Sequence, residues 1–217
     1  MNRLQPESDP ASIERRSFAI IDAETGDTKP FSGQCWEVAR RLVHTTADFS
    51  ILKTLIVPEK AVVIGVTALR ASCHVFTDTQ MVLAGIPRRR LEPLGVTASC
   101  LLSLPGVSER AKQHGTTLSQ AAMEIAGDRI ENNILAVGNA PTTLIALIKY
   151  IQAGGKPPAL VIGMPVGFVN AAESKDLLLE EKNVPSIVIR GRRGGSPLAA
   201  ATVNALAEIA LRNRQTA

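Results

Sequence analysis

Apolar positions recur along this chain with two periods, and the change between them falls between Leu69 and His74. In the first part the spacing is helical. Ser12 stands where a cap belongs, ahead of a helix reaching about Glu24, and residues 1–11 before it read as a loose N-terminal segment. Ser32 stands ahead of a second helix that carries Trp36, Ala39, Leu42 and Val43 on one face. A third is expected after Pro58, with Val62, Val63, Val66 and Leu69 turned inward. Beyond it, short β-rich runs appear at 74–77, 96–102, 134–137, 160–162 and 186–189, and helical stretches alternate with them near 106–114, 117–127, 141–153, 173–182 and 197–212. Strands that alternate with helices make parallel βαβ units. Five short apolar strands therefore predict an α/β fold with a five-stranded parallel sheet, doubly wound and covered by helices on both faces. No internal repeat or low-complexity linker interrupts residues 1–217, so a single domain is expected.

Composition narrows the function classes. The 217 residues suffice to bury roughly 70% of the unfolded surface. One Trp, one Tyr and five Phe supply little stacking surface, and no basic run exceeds Arg88-Arg89-Arg90, which argues against nucleic acid. A net charge of +4 suits an acidic ligand. Cys35, Cys73 and Cys100 are far apart and form no CxxC pair, so neither a zinc site nor a disulfide framework is expected. The opening "MNRLQPESDP" lacks the features of a secretory or transit peptide, and the nearly apolar stretch 61–69 is too short to span a bilayer. A cytoplasmic, soluble protein is the expectation.

The ends of the apolar strands carry the chemistry. In an open parallel sheet, ligands bind outside the carboxyl ends, where loops lead into helix N-termini. One strand runs into "GNAPT" (138–142), with Asn139 placed to cap and Pro141 suited to a first turn; the next runs into "GMPVGFVNAAESK" (163–175). The last runs into "RGRRGGSP" (190–197), where Ser196 is placed as the cap and Pro197 as the first helical residue. Such loops offer backbone N–H groups at positive helix ends, and Arg192 and Arg193 add guanidinium groups. The expected ligand carries several carboxylates or phosphates. No GxGxxG follows the first strand, and no GxxxxGK[ST] or GxSxG occurs, so dinucleotide, P-loop and serine-hydrolase readings lose their usual support.

Other residues are ambiguous on sequence logic. His44, in "RRLVHTTADF" (40–49), reads either as a C-terminal helix residue complementing the dipole or as a proton donor or acceptor. Asp78, in "TDTQM" (77–81), is either a cap for the next turn or a polar pocket group. Ser17 falls mid-helix, where a hydroxyl ordinarily bonds the backbone four residues back. His74 and His114 have no partner at metal-ligand spacing.

Taken with "RSFAII" (16–21), these motifs stand in an order and spacing that resemble the precorrin-8X / cobalt-precorrin-8 methylmutases of cobalamin biosynthesis, from about Ile13 to Leu206. The resemblance implies a flavodoxin-like, three-layer α/β/α fold and a homodimer whose partner helps to form each active site. It implies an isomerase that needs no cofactor and moves a methyl group from carbon 11 to carbon 12 of a contracted tetrapyrrole, giving hydrogenobyrinate or cobyrinate. Any cobalt would arrive inside the substrate. By the match His44 is the essential histidine, and Ser17 and Asp78 line the same pocket. Asn139, Arg192, Gly194, Gly195 and Ser196 are expected to meet the carboxylate arms of substrate and product. One departure stands out: Leu118, in "GTTLS" (115–119), replaces an arginine common in the family. "HTTADF" (44–49) is closer to the cobalt-dependent branch. Handover to neighbouring pathway enzymes fits the same picture. A corrinoid carrier without turnover is the alternative from another class, and a nucleotide-binding α/β protein is a third.

Overall fold

The structure, a computed structural model, describes residues 9–212. A six-stranded sheet forms from β1 (Leu55–Ile56), β2 (His74–Thr77), β3 (Thr97–Cys100), β4 (Ile134–Val137), β5 (Leu160–Gly163) and β6 (Ser186–Ile189), in the order β1-β6-β5-β4-β2-β3. From β2 to β6 every pairing is parallel, as the alternation with helices requires; β1 joins β6 antiparallel at the edge. The sheet is thus mixed and six-stranded, where five parallel strands were expected. A two-residue strand is too short to show any period, which is why the sequence hides β1. Taken alone, the parallel strands run in the doubly wound order whose direction of growth reverses between β2 and β4.

Helices cover both faces. The chain supplies α1 (Pro10–Thr25), α2 (Gly33–Thr46), α3 (Glu59–Arg70), α4 (Gln80–Ala84), α5 (Arg88–Leu91), α6 (Val107–His114), α7 (Leu118–Ala126), α8 (Pro141–Gln152), α9 (Ala171–Glu180) and α10 (Ser196–Arg212). Successive strand residues point to opposite faces. Ile134, Ala136, Leu160, Ile162 and Ile187 enter the core under α2, α3 and α10, whereas Leu135, Val137, Val161 and Val188 enter the core under α7, α8 and α9. Helix α10 is apolar nearly all round because it is covered from both sides, by the sheet and by α2 and α3.

Several expectations shift at the ends of elements. Pro10 and Ala11 belong to α1, whose cap is Asp9 and not Ser12; the rest of the expected loose segment, 1–8, lies outside the described residues. In α3, Val62, Val66 and Leu69 point inward, but Val63 is 51% exposed. Leu101–Ser103 tightens into a 3₁₀ turn and shortens the strand expected over 96–102. Among the described residues no helix is long and apolar enough to cross a membrane.

Candidate active site

At the point where the strand order reverses, β2 leads into Asp78 and β4 leads into Gly138–Ala140. Asp78 is 1% exposed, and its carboxylate accepts three backbone N–H bonds, from Gly138 at 3.0 Å and from Asn139 and Ala140 at 2.8 Å. Burial pushes this carboxyl up, against the pull of the three donors. The amides that the "GNAPT" loop was expected to offer a ligand are therefore taken by an internal anion. Asp78 is not the cap of the turn that follows it, since the hydroxyl of Thr79 accepts the Val82 N–H there; it serves the start of α8 instead. Ala140 occupies the capping position of α8 and makes no side-chain bond, so Asn139 is not the cap. The Asn139 side chain is exposed at the loop surface.

The loops after β5 and β6 lie against each other. Gly195 N–H donates to the Met164 carbonyl at 2.8 Å, and Gly167 N–H donates to that of Arg192 at 3.2 Å. A side chain at Gly194 would place its Cβ 2.2 Å from the Met164 oxygen, so only glycine permits this approach. The first hydrogen bonds of α10 go to the Gly195 carbonyl, which puts Gly195, not Ser196, in the capping position. Ser196 is 5% exposed, with its Oγ 3.5 Å from the Thr79 hydroxyl. Arg192 is exposed, with its guanidinium 5.3 Å from the ring centroid of Phe168, itself 82% exposed. The guanidinium of Arg193 turns away to Asp48 and the Ser50 hydroxyl, both at 2.9 Å.

Ser17 and His44 form a second group, where α1 and α2 lie side by side. Arg41 fixes that pair: it is buried and bonds Glu14 of α1 at 2.8 Å and Glu208 of α10. Bonding to Arg41 holds the Glu14 carboxyl below its ordinary range, overcoming its partial burial. His44 projects from the last turn of α2 with its ring 5.3 Å from that of Phe18, edge to face. It is exposed and shares a cavity of about 310 Å³ with Ser17, Ile20, Val43, Ala47 and Phe49. The Ser17 hydroxyl donates to the Ile13 carbonyl at 2.9 Å, the helical back-bond expected of it. Just beyond, Ala47 takes a left-handed φ of 50° and turns the chain into the 49–53 turn.

Six of the expected residues thus gather at one edge of the sheet: Asp78, Asn139, Arg192, Gly194, Gly195 and Ser196. Ser17 and His44 stand apart, on α1 and α2. Arg193, through Asp48, ties the loop before α10 to the chain just beyond His44. Lys175 was missed. It is fully buried, and its ammonium donates to the carbonyls of Pro165 at 3.0 Å and Arg193 at 2.8 Å. Its position could have signalled this, for Lys175 falls on the buried stripe of α9 with Ala171, Ser174 and Leu178. Leu118, at the first turn of α7, is 50% exposed; beside it the Thr117 hydroxyl bonds that of Thr142 at 3.1 Å, which brings the start of α7 to the start of α8.

Comparison with known proteins gives one answer throughout. The family model described as precorrin-8X methylmutase matches residues 12–209. A cobalt-precorrin-8 methylmutase of Leptospira interrogans is 38% identical over 202 residues, covering 90% of this chain and 91% of its own. A precorrin-8X methylmutase of a Sinorhizobium species is 40% identical over 197 residues, covering 90% and 93%. The crystal structure of a precorrin-8x methyl mutase from Thermus thermophilus superposes with a TM-score of 0.87 at 41% identity, covering 94% of this chain and 97% of that one.

Proposed function

The chain belongs to the precorrin-8X methylmutase family of isomerases, and from that premise we propose how its residues move a methyl group from ring carbon 11 to carbon 12 of the tetrapyrrole. Substrate and product are isomers, so no group is gained or lost, and a proton lent to the ring must be recovered by the end of the cycle. A suprafacial shift needs no nucleophile. It needs the electrons of the ring biased and the macrocycle held in one pose. The observation that carries the reading is His44: a solvent-facing imidazole at the mouth of an apolar cavity, braced by Phe18 and by a helix that Arg41 pins in place. From there it donates a proton or hydrogen bond to a ring nitrogen. Ser17 lines the same cavity. Arg192 and the side chain of Asn139 receive carboxylate arms, Gly194 and Gly195 give the loop its close-packed course, and Ser196 sits beneath it. Asp78 acts from below the surface, by holding the 138–140 loop.

The reading includes no cofactor of the enzyme's own, a homodimer in the cytoplasm, and release of product to the next enzyme of the pathway. The "HTTADF" stretch (44–49) favours the cobalt-bearing substrate, and presenting the purified protein with metal-free and cobalt-bearing precorrins in parallel tests that choice. The mechanistic test is His44→Ala. Turnover, followed by the change in the substrate's absorption spectrum, should fall by roughly 10²–10⁴, while product binding stays close to wild type because the loop residues are untouched. A variant that turns over at nearly the wild-type rate would refute the role of His44. A wild-type protein that binds the substrate and leaves its spectrum unchanged would be a carrier.

A further inference from the structure

Lys175 has no place in the chemistry above, yet its burial demands a reason. An ammonium group leaves water only at considerable cost, and a buried lysine ordinarily faces a carboxylate. Here the partners are two backbone carbonyls, one from each of the loops that follow β5 and β6. The side chain starts on α9, reaches back to Pro165 and forward to Arg193, and so bridges segments that are neighbours only in the folded state. An apolar residue of the same length would fill the space at lower cost. What it could not do is donate to both carbonyls at once.

Those loops carry the exposed groups at the rim. Phe168 lies in the first and Arg192 in the second, and the guanidinium of Arg192 stands over the Phe168 ring. A flat, apolar macrocycle edged with carboxylates calls for this pairing, an aromatic face beside a cation. The spacing between the two side chains follows from the spacing between their loops, which the Gly195–Met164 and Gly167–Arg192 hydrogen bonds and the ammonium bridge maintain together. We propose that Lys175 is a positioning residue: its ammonium clamps the two loops to each other and thereby holds Arg192 and Phe168 at the separation that receives the tetrapyrrole. The inference rests on the reading of this rim as the substrate-binding surface.

Two variants test it. Both replacements are one atom shorter than lysine; Lys175→Met removes every donor, whereas Lys175→Gln keeps two N–H groups at the same reach. The readouts are amide hydrogen exchange, product affinity by absorbance titration with cobyrinate and with hydrogenobyrinate, and the separate values of kcat and KM. In Lys175→Met, exchange at the Gly167 and Gly195 amides should accelerate about tenfold or more, while that of the Ala140 amide, bonded to Asp78, stays unchanged. The product Kd and the KM should rise about tenfold with kcat within about threefold, and Lys175→Gln should recover part of each loss. Unchanged exchange and affinity in Lys175→Met would overturn the proposal, as would equal losses in the two variants, which would mean that only packing matters. In the wild-type protein the two glycine amides should open as one unit, with protection within about threefold. A hundredfold difference would mean that the loops move independently and would overturn the clamp even if neither variant could be purified. A wild-type protein that bound no product would fail the functional reading alone, since the exchange experiment judges the clamp without any ligand.

Discussion

At the scale of single residues, two buried charged groups hold this rim from below, and each makes a measurable prediction. Asp78 answers three backbone donors with one carboxylate, and the residues it serves lie about sixty positions further along the chain. Sequence pattern exposes local caps, so it could identify Asp78 as a capping type but not which helix it caps. Asp78→Ala would leave three N–H groups without their acceptor in a largely buried place, and should cost roughly 3–5 kcal/mol of stability. Chemical denaturation measures that loss; a cost below about 1 kcal/mol would mean that water replaces the carboxylate without penalty. Lys175 makes a prediction of the opposite kind. Burial lowers its pKa from 10.5 to about 8, and only the nearby Asp176 opposes the shift. Between those two pH values the unfolded chain binds the proton more tightly than the folded one, so this residue's contribution makes stability rise with pH across the window. The full rise should be roughly 3 kcal/mol, at ~1.4 kcal/mol per pH unit. Other groups titrate in the same range, and the difference between wild type and Lys175→Met in urea at pH 8 and pH 10 isolates the part due to Lys175. A neutral amine still offers two N–H donors, so the clamp itself survives the titration.

At the scale of elements, legibility followed length. The sequence periods locate β2, β4 and β6 at their observed bounds and α6 to α10 to within a residue or two, whereas α1 starts three residues before the expected Ser12 cap allows. They miss β1, α4 and α5, which are two to five residues long and complete no more than about one period. The site was legible in the same uneven way. Glycine-bearing loops at strand ends are a local signal and were found; how their amides are shared out is a tertiary matter and was not. Helix α7 shows the consequence. Its first residue, Leu118, stands exposed beside the start of α8, at the place where the sequence resemblance leads one to expect an arginine. An arginine there would project over a loop whose own amides are already satisfied by Asp78, so its charge would add to binding without displacing anything. Leu118→Arg should therefore tighten product binding, and Arg192→Ala should weaken it by about 1.5–3 kcal/mol, the scale of a charge-assisted hydrogen bond. The double variant should fall between the two. Both effects should shrink in high salt, since charges at an exposed rim are screened over ~8 Å at physiological ionic strength. If Arg192→Ala binds product as wild type does, that guanidinium serves only its stacking on Phe168.

At the scale of the whole molecule, the two groups of site residues pose a problem of reach. The rim after β5 and β6 crowns the sheet, whereas His44 and Ser17 stand beyond α10, on the outer helical hairpin. Arg193 and Asp48 connect them along the protein surface, but the cavity beside His44 is lined only by α1, α2 and the chain at Ala47 and Phe49, with no residue of the rim. Large apolar side chains are also left uncovered near both groups: Ile20 beside Ser17 is 50% exposed, and Met81, Phe168 and Val169 at the rim are 70%, 82% and 76% exposed. Singly such residues are ordinary; several at the mouths of one proposed site mark a surface that something else covers. A second copy of the chain would close the cavity opposite His44, bury part of this surface and bring a rim within reach of an imidazole, which is how a shared site would be completed. The mass in solution should then be twice the 23.1 kDa of the chain at micromolar concentration. Complementation gives the sharper readout. Mixing His44→Ala with Arg192→Ala, after brief dissociation and reassembly and at substrate well below the KM of Arg192→Ala, should give more activity than the two variants do separately, because each mixed dimer would hold one site with both residues intact. An active monomer, or a mixture no more active than the sum of its parts, would mean that each chain builds its site unaided and that the substrate itself spans the gap between His44 and Arg192.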